Sequence, residues 1–324
     1  MDYGIVTTTN ACHTQALTIC KELAELTPPK DDLLRFDFYP YAENSPFSNL
    51  VLINALRQFK LRHPEAQLMV RPKKNNTYLT HIGFYKGIGI DHGNATGEAH
   101  GSDTYVPVTE IKTGSPLFYN DLSNVVVKLA RTLHYDPALE YMLKYVFQES
   151  IRNVHEHADT DAVLVAAQKW PTKSLLEIAI ADAGCGVAQS LGKRFHREPL
   201  DLLRLACQPG ISALSNASRT AAEDAWRNSG YGLYVMKELA LRCNGRFMIC
   251  SDEHAIAYRR VNGSVKEDIY PTNYKGLALC LQFRTDETIN FYSEIPDIAR
   301  HGEELAVESE GAITKASGSS GSLM

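Results

Sequence analysis

Several things are missing from this chain of 324 residues, and each absence closes off a class of function. No run of Lys or Arg stands out, and the net charge is -5 with a pI of about 6.1, so no nucleic-acid partner is expected. No apolar stretch is long enough to span a bilayer, and the opening MDYGIVTTTNACHTQ lacks the apolar core of a signal peptide. A cytoplasmic location with no membrane partner is therefore the expectation. The cysteines Cys12, Cys20, Cys185, Cys207, Cys243, Cys250 and Cys280 are scattered and form no C-x-x-C pair. That spacing argues against bridges and zinc ligation and for free thiols in a reducing compartment. No internal repeat is present, which excludes solenoids and propellers.

What is present is an ordinary globular composition, 44% hydrophobic and 22% charged. The length favours two domains over one. Residues 12–25 read as a helix and LLRFDFY (33–39) as a strand. SPFSNLVLINALRQFKLRH (45–63) reads as a helix with Ser45 as N-cap and Pro46 in its first turn. AQLMVRP (66–72) is a short strand, and TYLTHIGFYKGIGI (77–90) a helix broken at its glycines. A Gly-rich loop (91–103) precedes TYVPVTEIK (104–112), an edge strand because Pro107 cannot donate to a ladder on both sides. Beyond 112 the pattern changes. Two helices (121–133, 137–158), two paired strands (162–170, 174–182), a long polar segment (187–229), a helix (230–245) and two strands (246–251, 276–283) follow. A hairpin-like insert joins the last two strands. The chain from 296 to 324 reads as a polar, disordered tail.

Three stretches carry chemistry. In FQESIRNVHEHA (147–158), Glu149, Asn153 and His157 are spaced four apart and share one helix face. In IAIADAGCGV, a strand ends at Asp182 and Gly184 and Gly186 follow. A carboxylate there can accept a ligand's hydrogen bond while the backbone comes close. In NSGYGLYVMKEL, Gly230 and Gly232 open a helix whose free N–H groups and dipole suit phosphate oxygens. Each stretch alone has an ordinary explanation: a solvated helix face, a turn, a loop that needs glycine. Neither the dinucleotide fingerprint nor a G-K-[ST] loop occurs.

In the order E-x-x-x-N-x-x-x-H, D-x-G-x-G, G-x-G-L, the three together resemble the GHKL ATPase superfamily over about 115–285, and within it the anti-sigma-factor serine kinases most. The resemblance implies a C-terminal α/β sandwich of the GHKL (Bergerat) type at 113–295, with helices on one face of a mixed sheet. It implies ATP and Mg²⁺ as cofactors and a bacterial signalling role. Asn153 matches the Mg²⁺ ligand, Glu149 the general base, and Asp182 the carboxylate that meets the adenine amino group. Gly184 and Gly186 match the glycines beside the base, and Gly230, Gly232 and Leu233 the loop around the phosphates. The polar segment matches the ATP lid, with Lys193, Arg194, Arg219 and Arg227 as candidate phosphate contacts. His157 is read as a structural hydrogen-bonding residue and His155 as surface. Gly276 is followed by Leu277 where that superfamily often has Gly-Thr.

The unit at 1–112 is similar in its strand–helix order to the STAS fold of anti-anti-sigma factors. The phosphorylatable serine of that fold would fall near Ser45 or Ser48, although Ser45 is better explained as an N-cap. Two functions follow from these resemblances. One is an enzyme that hydrolyses ATP or phosphorylates Ser/Thr on a protein partner. The other is a non-hydrolysing, ATP-gated interaction module, with a homodimer compatible with either. A sensor histidine kinase fits less well, because the position of Glu149 is usually an amide in that branch.

Overall fold

The computed structural model of the chain describes residues 3–7, 13–27, 33–38, 45–70, 77–94, 104–113, 123–128, 137–154, 159–213, 230–287, 289–309 and 311–316. It is a mixed α/β structure with two sheets. Strands β1 (Tyr3–Thr7), β2 (Leu33–Phe38) and β3 (Gln67–Val70) form a parallel three-stranded sheet, connected in sequence through α1 (His13–Glu25) and α2 (Pro46–Arg62). Two short helices, α3 (Thr77–His81) and α4 (Phe84–Gly87), are parted by Gly83 at φ 84°. The second sheet holds β4 (Tyr105–Lys112), β5 (Ala162–Trp170), β6 (Leu175–Asp182), β7 (Arg246–Val261) and β8 (Ser264–Arg284). Its order is β4-β5-β6-β8-β7, and every neighbouring pair is antiparallel.

Alternation along the strands of this sheet makes two different faces. Val163, Val165, Leu176, Ile178, Ile180, Phe247, Ile249, Leu279 and Leu281 point to one side. There they meet a helical stretch at 123–128 (α5), then α6 (Pro137–Asn153), α7 (Val187–Phe195), α8 (Pro199–Ala206), α9 (Gly232–Arg242) and α10 (Phe291–Ala306). The intervening residues are mostly small: Ala166, Ala179, Ala181, Cys250, Ala278 and Cys280. Small side chains let α1 and α2 lie close against this second face, filling the layer with their own Leu17, Phe47, Leu50, Val51 and Leu56.

Among those small residues β6 carries a carboxylate, Glu177, 1% exposed. Three donors surround it: the Phe47 backbone N–H in the first turn of α2 at 3.0 Å, His13 Nε2 on α1 at 3.1 Å, and Gln282 Nε2 on β8 at 2.8 Å. Burial alone would raise its pKa, but the His13 charge and these hydrogen bonds outweigh that and hold it below the usual Glu value. His13, Glu177 and Cys280 offer ligand atoms within 4.8 Å of one another. Both Glu177 oxygens are already engaged, however, and burial pushes the Cys280 thiol well above its usual range, so the cluster is a hydrogen-bond network.

Several expectations hold. Ser45 caps α2, its hydroxyl accepting the Ser48 N–H at 3.1 Å, with Pro46 in the first turn. β4 is an edge strand whose register shifts between Val106 and Thr109, around Pro107. β5 and β6 pair as antiparallel neighbours. Other expectations need correction. The sheet is antiparallel throughout, not mixed, and helices cover both of its faces, because its strands are apolar on both sides. The expected boundary at 112 falls at the end of β4, which hydrogen-bonds to β5, so it is not a break in packing. The segment from 187 contains α7 and α8. The residues from 296 onward are not a disordered tail as far as 316. α10 buries Phe291, Ile295, Ile298, Ala299, Gly302 and Ala306 along one stripe at helical spacing, a signal the sequence did carry. Ser45 and Ser48 are both buried, which removes them as accessible phosphorylation sites.

Glu177→Ala would leave buried donors facing no acceptor, and we expect a loss of about 3 kcal/mol in urea unfolding at pH 7. Because the folded-state pKa of Glu177 is depressed, its contribution is present above the unfolded value of 4.5 and is lost as pH falls through the folded one. The gap between wild type and variant should therefore shrink as pH falls below 4.5. A gap that is constant with pH would show that the carboxylate charge does not matter.

Candidate functional site

The three motif-bearing stretches meet in one place. A cleft that opens to solvent is lined by Asn153 of α6, Asp182 at the end of β6, Gly186 before α7, and Gly230, Gly232 and Leu233 at the start of α9. Leu277 of β8, Cys185, Val187 and the Ile211–Ala213 segment also line it, together with Ser190, Leu191 and Ala206. Residues nearly 80 positions apart in sequence converge because α6 and α9 pack side by side on the same face of the sheet, with Asp182 between their ends.

At the inner end, the Asp182 carboxylate is 3% exposed. Its Oδ1 accepts the Gly184 N–H at 2.9 Å and the Leu277 N–H at 3.3 Å. Burial pushes its pKa up to about 6, against the pull of those two donors. The aspartate backbone is fixed as well. Tyr274 donates its hydroxyl to the Asp182 carbonyl at 2.8 Å and receives the side-chain amide of Asn54 from α2 at 2.8 Å. Gly276 stands at φ +103°, where a Cβ would lie 2.4 Å from the Asp182 carbonyl oxygen. Only glycine fits at that position. The departure at Leu277 thus leaves its backbone contact to Asp182 in place.

The two helix starts at the cleft differ. α7 is capped from within the protein: the Ser251 hydroxyl accepts the Val187 N–H and the Asp252 carboxylate the Ala188 N–H, each at 2.9 Å. Asp252 is also why position 186 is glycine, since a Cβ there would lie 2.3 Å from its Oδ1. Among the described residues no side chain caps α9, and its first residues, Gly232 and Leu233, face the cleft. Uncapped N–H groups at a helix start suit an anion. Gly230, at φ +74°, sits against the backbone of Ile211, which a Cβ would approach to 2.3 Å.

Not every expected residue reaches the cleft. Glu149 is 1% exposed and lies behind Gly232, where a Cβ would be 2.6 Å from its Oε2. It is not among the residues that line the cavity. Gly184 acts through its N–H to Asp182 and does not line the wall. Arg194 is spent on the backbone carbonyls of Ser212 and Gly311, and Lys193 is exposed away from the lining. Arg219, Arg227, His155 and His157 lie outside the described residues. Sequence reasoning missed Ser251, Asp252, Tyr274 and Asn54, which shape the cleft through long-range bonds that no local pattern announces. The Cys185 thiol in the wall is raised by burial first and by Asp182 second, so it stays protonated at neutral pH.

No protein-family model matches the chain, and comparison with curated proteins gives no match. Among the described residues no helix is long and apolar enough to cross a membrane.

Asp182 offers a direct check. Its folded pKa, about 6, lies above the unfolded 3.8, so its protonated form is favoured in the fold. That stability is present below the unfolded value and is lost as pH rises through about 6. Asp182→Asn should remove this pH dependence and leave the protein no less stable at pH 8. A variant with the same pH profile as wild type would place the titration elsewhere.

Proposed function

We propose that the chain binds Mg-ATP in this cleft and that residues 113–295 form a GHKL-type ATP-binding unit. One observation carries the reading: Asn153, Asp182, Gly186, Gly230, Gly232 and Leu233, taken from three separate motifs, line a single cleft. Asp182 Oδ1 is held by backbone donors, which leaves the rest of the carboxylate to accept the amino group of adenine. The start of α9, which no described side chain caps, would take the phosphates. Asn153 supplies a neutral oxygen at the cleft, which fits a hard cation that takes most of its ligands from phosphate and water. When bound, Mg²⁺ would neutralise phosphate charge there.

Turnover is a separate question within this reading. Glu149 is the candidate base, either for hydrolysis or for transfer of the γ-phosphate to a Ser/Thr hydroxyl on a protein partner. Its burial behind Gly232 favours the second reading, an ATP-gated interaction module in which binding, and not chemistry, controls the partner. The coverage of both sheet faces departs from the resemblance but leaves the cleft face intact.

The test follows γ-labelled ATP with Mg²⁺ and purified protein. Wild type should bind ATP, and Asp182→Asn should bind it at least tenfold more weakly, since an amide donor would face the amino group (~1.4 kcal/mol or more). Glu149→Gln should keep binding. Label released or transferred by wild type and lost in Glu149→Gln would make the chain an enzyme. Bound but intact ATP would make it the interaction module. ATP that does not bind, or binds equally well to Asp182→Asn, would overturn the assignment.

A further inference from the structure

The C-terminal segment does more than complete a core. α10 runs antiparallel to α9. At one end, Arg242 of α9 pairs with Asp297 at 2.9 Å and with Glu294. At the other, Gly302 lies under two rings of the α9 start, where a Cβ would meet Tyr234 at 2.7 Å and Tyr231 at 3.1 Å. Past the helix, residues 311–316 fold back toward the cleft. The Ile313 N–H donates to the Gly210 carbonyl at 2.7 Å, and its carbonyl accepts the Tyr231 hydroxyl at 2.9 Å. Arg194 ties the same strap to the cleft wall, donating to Gly311 at 2.6 Å and to Ser212 at 2.7 Å. The Ala316 N–H closes the turn on Glu303 of α10 at 2.9 Å.

We propose that this strap sets the shape of the phosphate-facing end of the cleft, with Tyr231 as the positioning residue through which it acts. The inference rests on the nucleotide reading for what the cleft holds. Tyr231 stands between Gly230 and Gly232, which both line the cleft, while its own side chain is buried and points away into α10 and the strap. Two glycines cannot hold a loop in one conformation by themselves, because glycine restricts its backbone least. The Tyr231 ring and its bond to Ile313 give the stretch a fixed point between them. Ile313 also holds Gly210, and Gly230 rests on the Ile211 backbone. One residue of the strap therefore sets both walls at that end.

The Asp182 end is held by other groups: Gly184, Leu277 and Tyr274. None of its hydrogen bonds comes from 311–316. The two ends of the cleft can thus be loosened independently, which separates this role from plain stabilisation. A strap that only adds stability would change binding of every ligand alike, or of none.

Two variants test it: Tyr231→Phe, which keeps the ring and removes the hydroxyl, and a chain ending at residue 309. Calorimetry would measure Mg-ATP and adenosine on each, and amide exchange would be followed on the unliganded proteins. Loss of one hydrogen bond predicts ATP binding weaker by about five- to tenfold in Tyr231→Phe, and more in the shortened chain, with adenosine within about twofold of wild type. Equal loss of both ligands, or no loss of either, overturns the proposal. If wild type binds neither ligand, the nucleotide reading fails by itself. Exchange then decides: faster amides confined to 210–212 and 230–232 in Tyr231→Phe uphold the strap as the element that sets those walls, and unchanged amides there overturn it. Should the shortened chain fail to fold, Tyr231→Phe carries the test alone.

Discussion

A carboxylate buried inside a sheet must be met by donors, and Glu177 is met by three from different parts of the chain. This requirement fixes where α1 and α2 can sit. The N-terminal turn of α2 has to deliver the Phe47 N–H, and α1 has to deliver His13. The helix dipole of α2 reinforces the choice, since its positive end points at the negative group. With α2 so placed, Asn54, two turns along, reaches Tyr274, and Tyr274 reaches the Asp182 carbonyl. One strand, β6, thus carries a buried carboxylate to each face of the sheet. The docking of the N-terminal helices around Glu177 on one face leads, through two hydrogen bonds, to the backbone of Asp182 at the cleft on the other.

This arrangement divides the labour of the cleft. Its inner end is held by sheet geometry: Asp182 at the tip of β6, Gly276 pressed against it, and the Ser251–Asp252 cap that closes off α7. Its outer end is held by helices and the C-terminal segment. The difference between the caps of α7 and α9 follows the same division. Asp252 satisfies the first donors of α7, so that helix start is structural. Among the described residues no side chain meets the first N–H groups of α9, which makes that helix start the better place for an anion.

Much of this was legible in the sequence, for identifiable reasons. β5 and β6 are long apolar runs with clear ends, and Ser45-Pro46 states the start of α2 in local chemistry. The cleft glycines were legible because each marks a backbone approach that a side chain would block. What stayed hidden depends on contacts distant in sequence. The insertion of β8 between β6 and β7 leaves no local trace. The face that receives α1 and α2 is written in Ala and Cys, which read as weak strand residues until a helix is seen lying on them. α10 was missed although its apolar residues recur at helical spacing; Pro296 interrupts its first turns, and its capping Asn290 lies just before the expected end of the C-terminal unit. Glu149 departs from the role the resemblance implies: it stands one turn before Asn153 on α6, yet it ends behind the cleft wall that Asn153 lines.

That position of Glu149 constrains any chemistry at this site. A general base must come within hydrogen-bonding distance of the proton it takes. Here the first turn of α9 stands between the carboxylate and the cavity, at a glycine, the one residue that allows so close an approach. On the nucleotide reading, phosphates bound at the start of α9 and a base behind it address the same few residues from opposite sides. Any shift of Gly232 that admitted Glu149 would also move the groups that hold the phosphates. Turnover would then require the α9 start to move, whereas binding would require it to stay. On the same reading, a loop fixed at Tyr231 by the C-terminal strap favours the second demand, and the bracing that would suit nucleotide binding would also hold Glu149 out of the cleft.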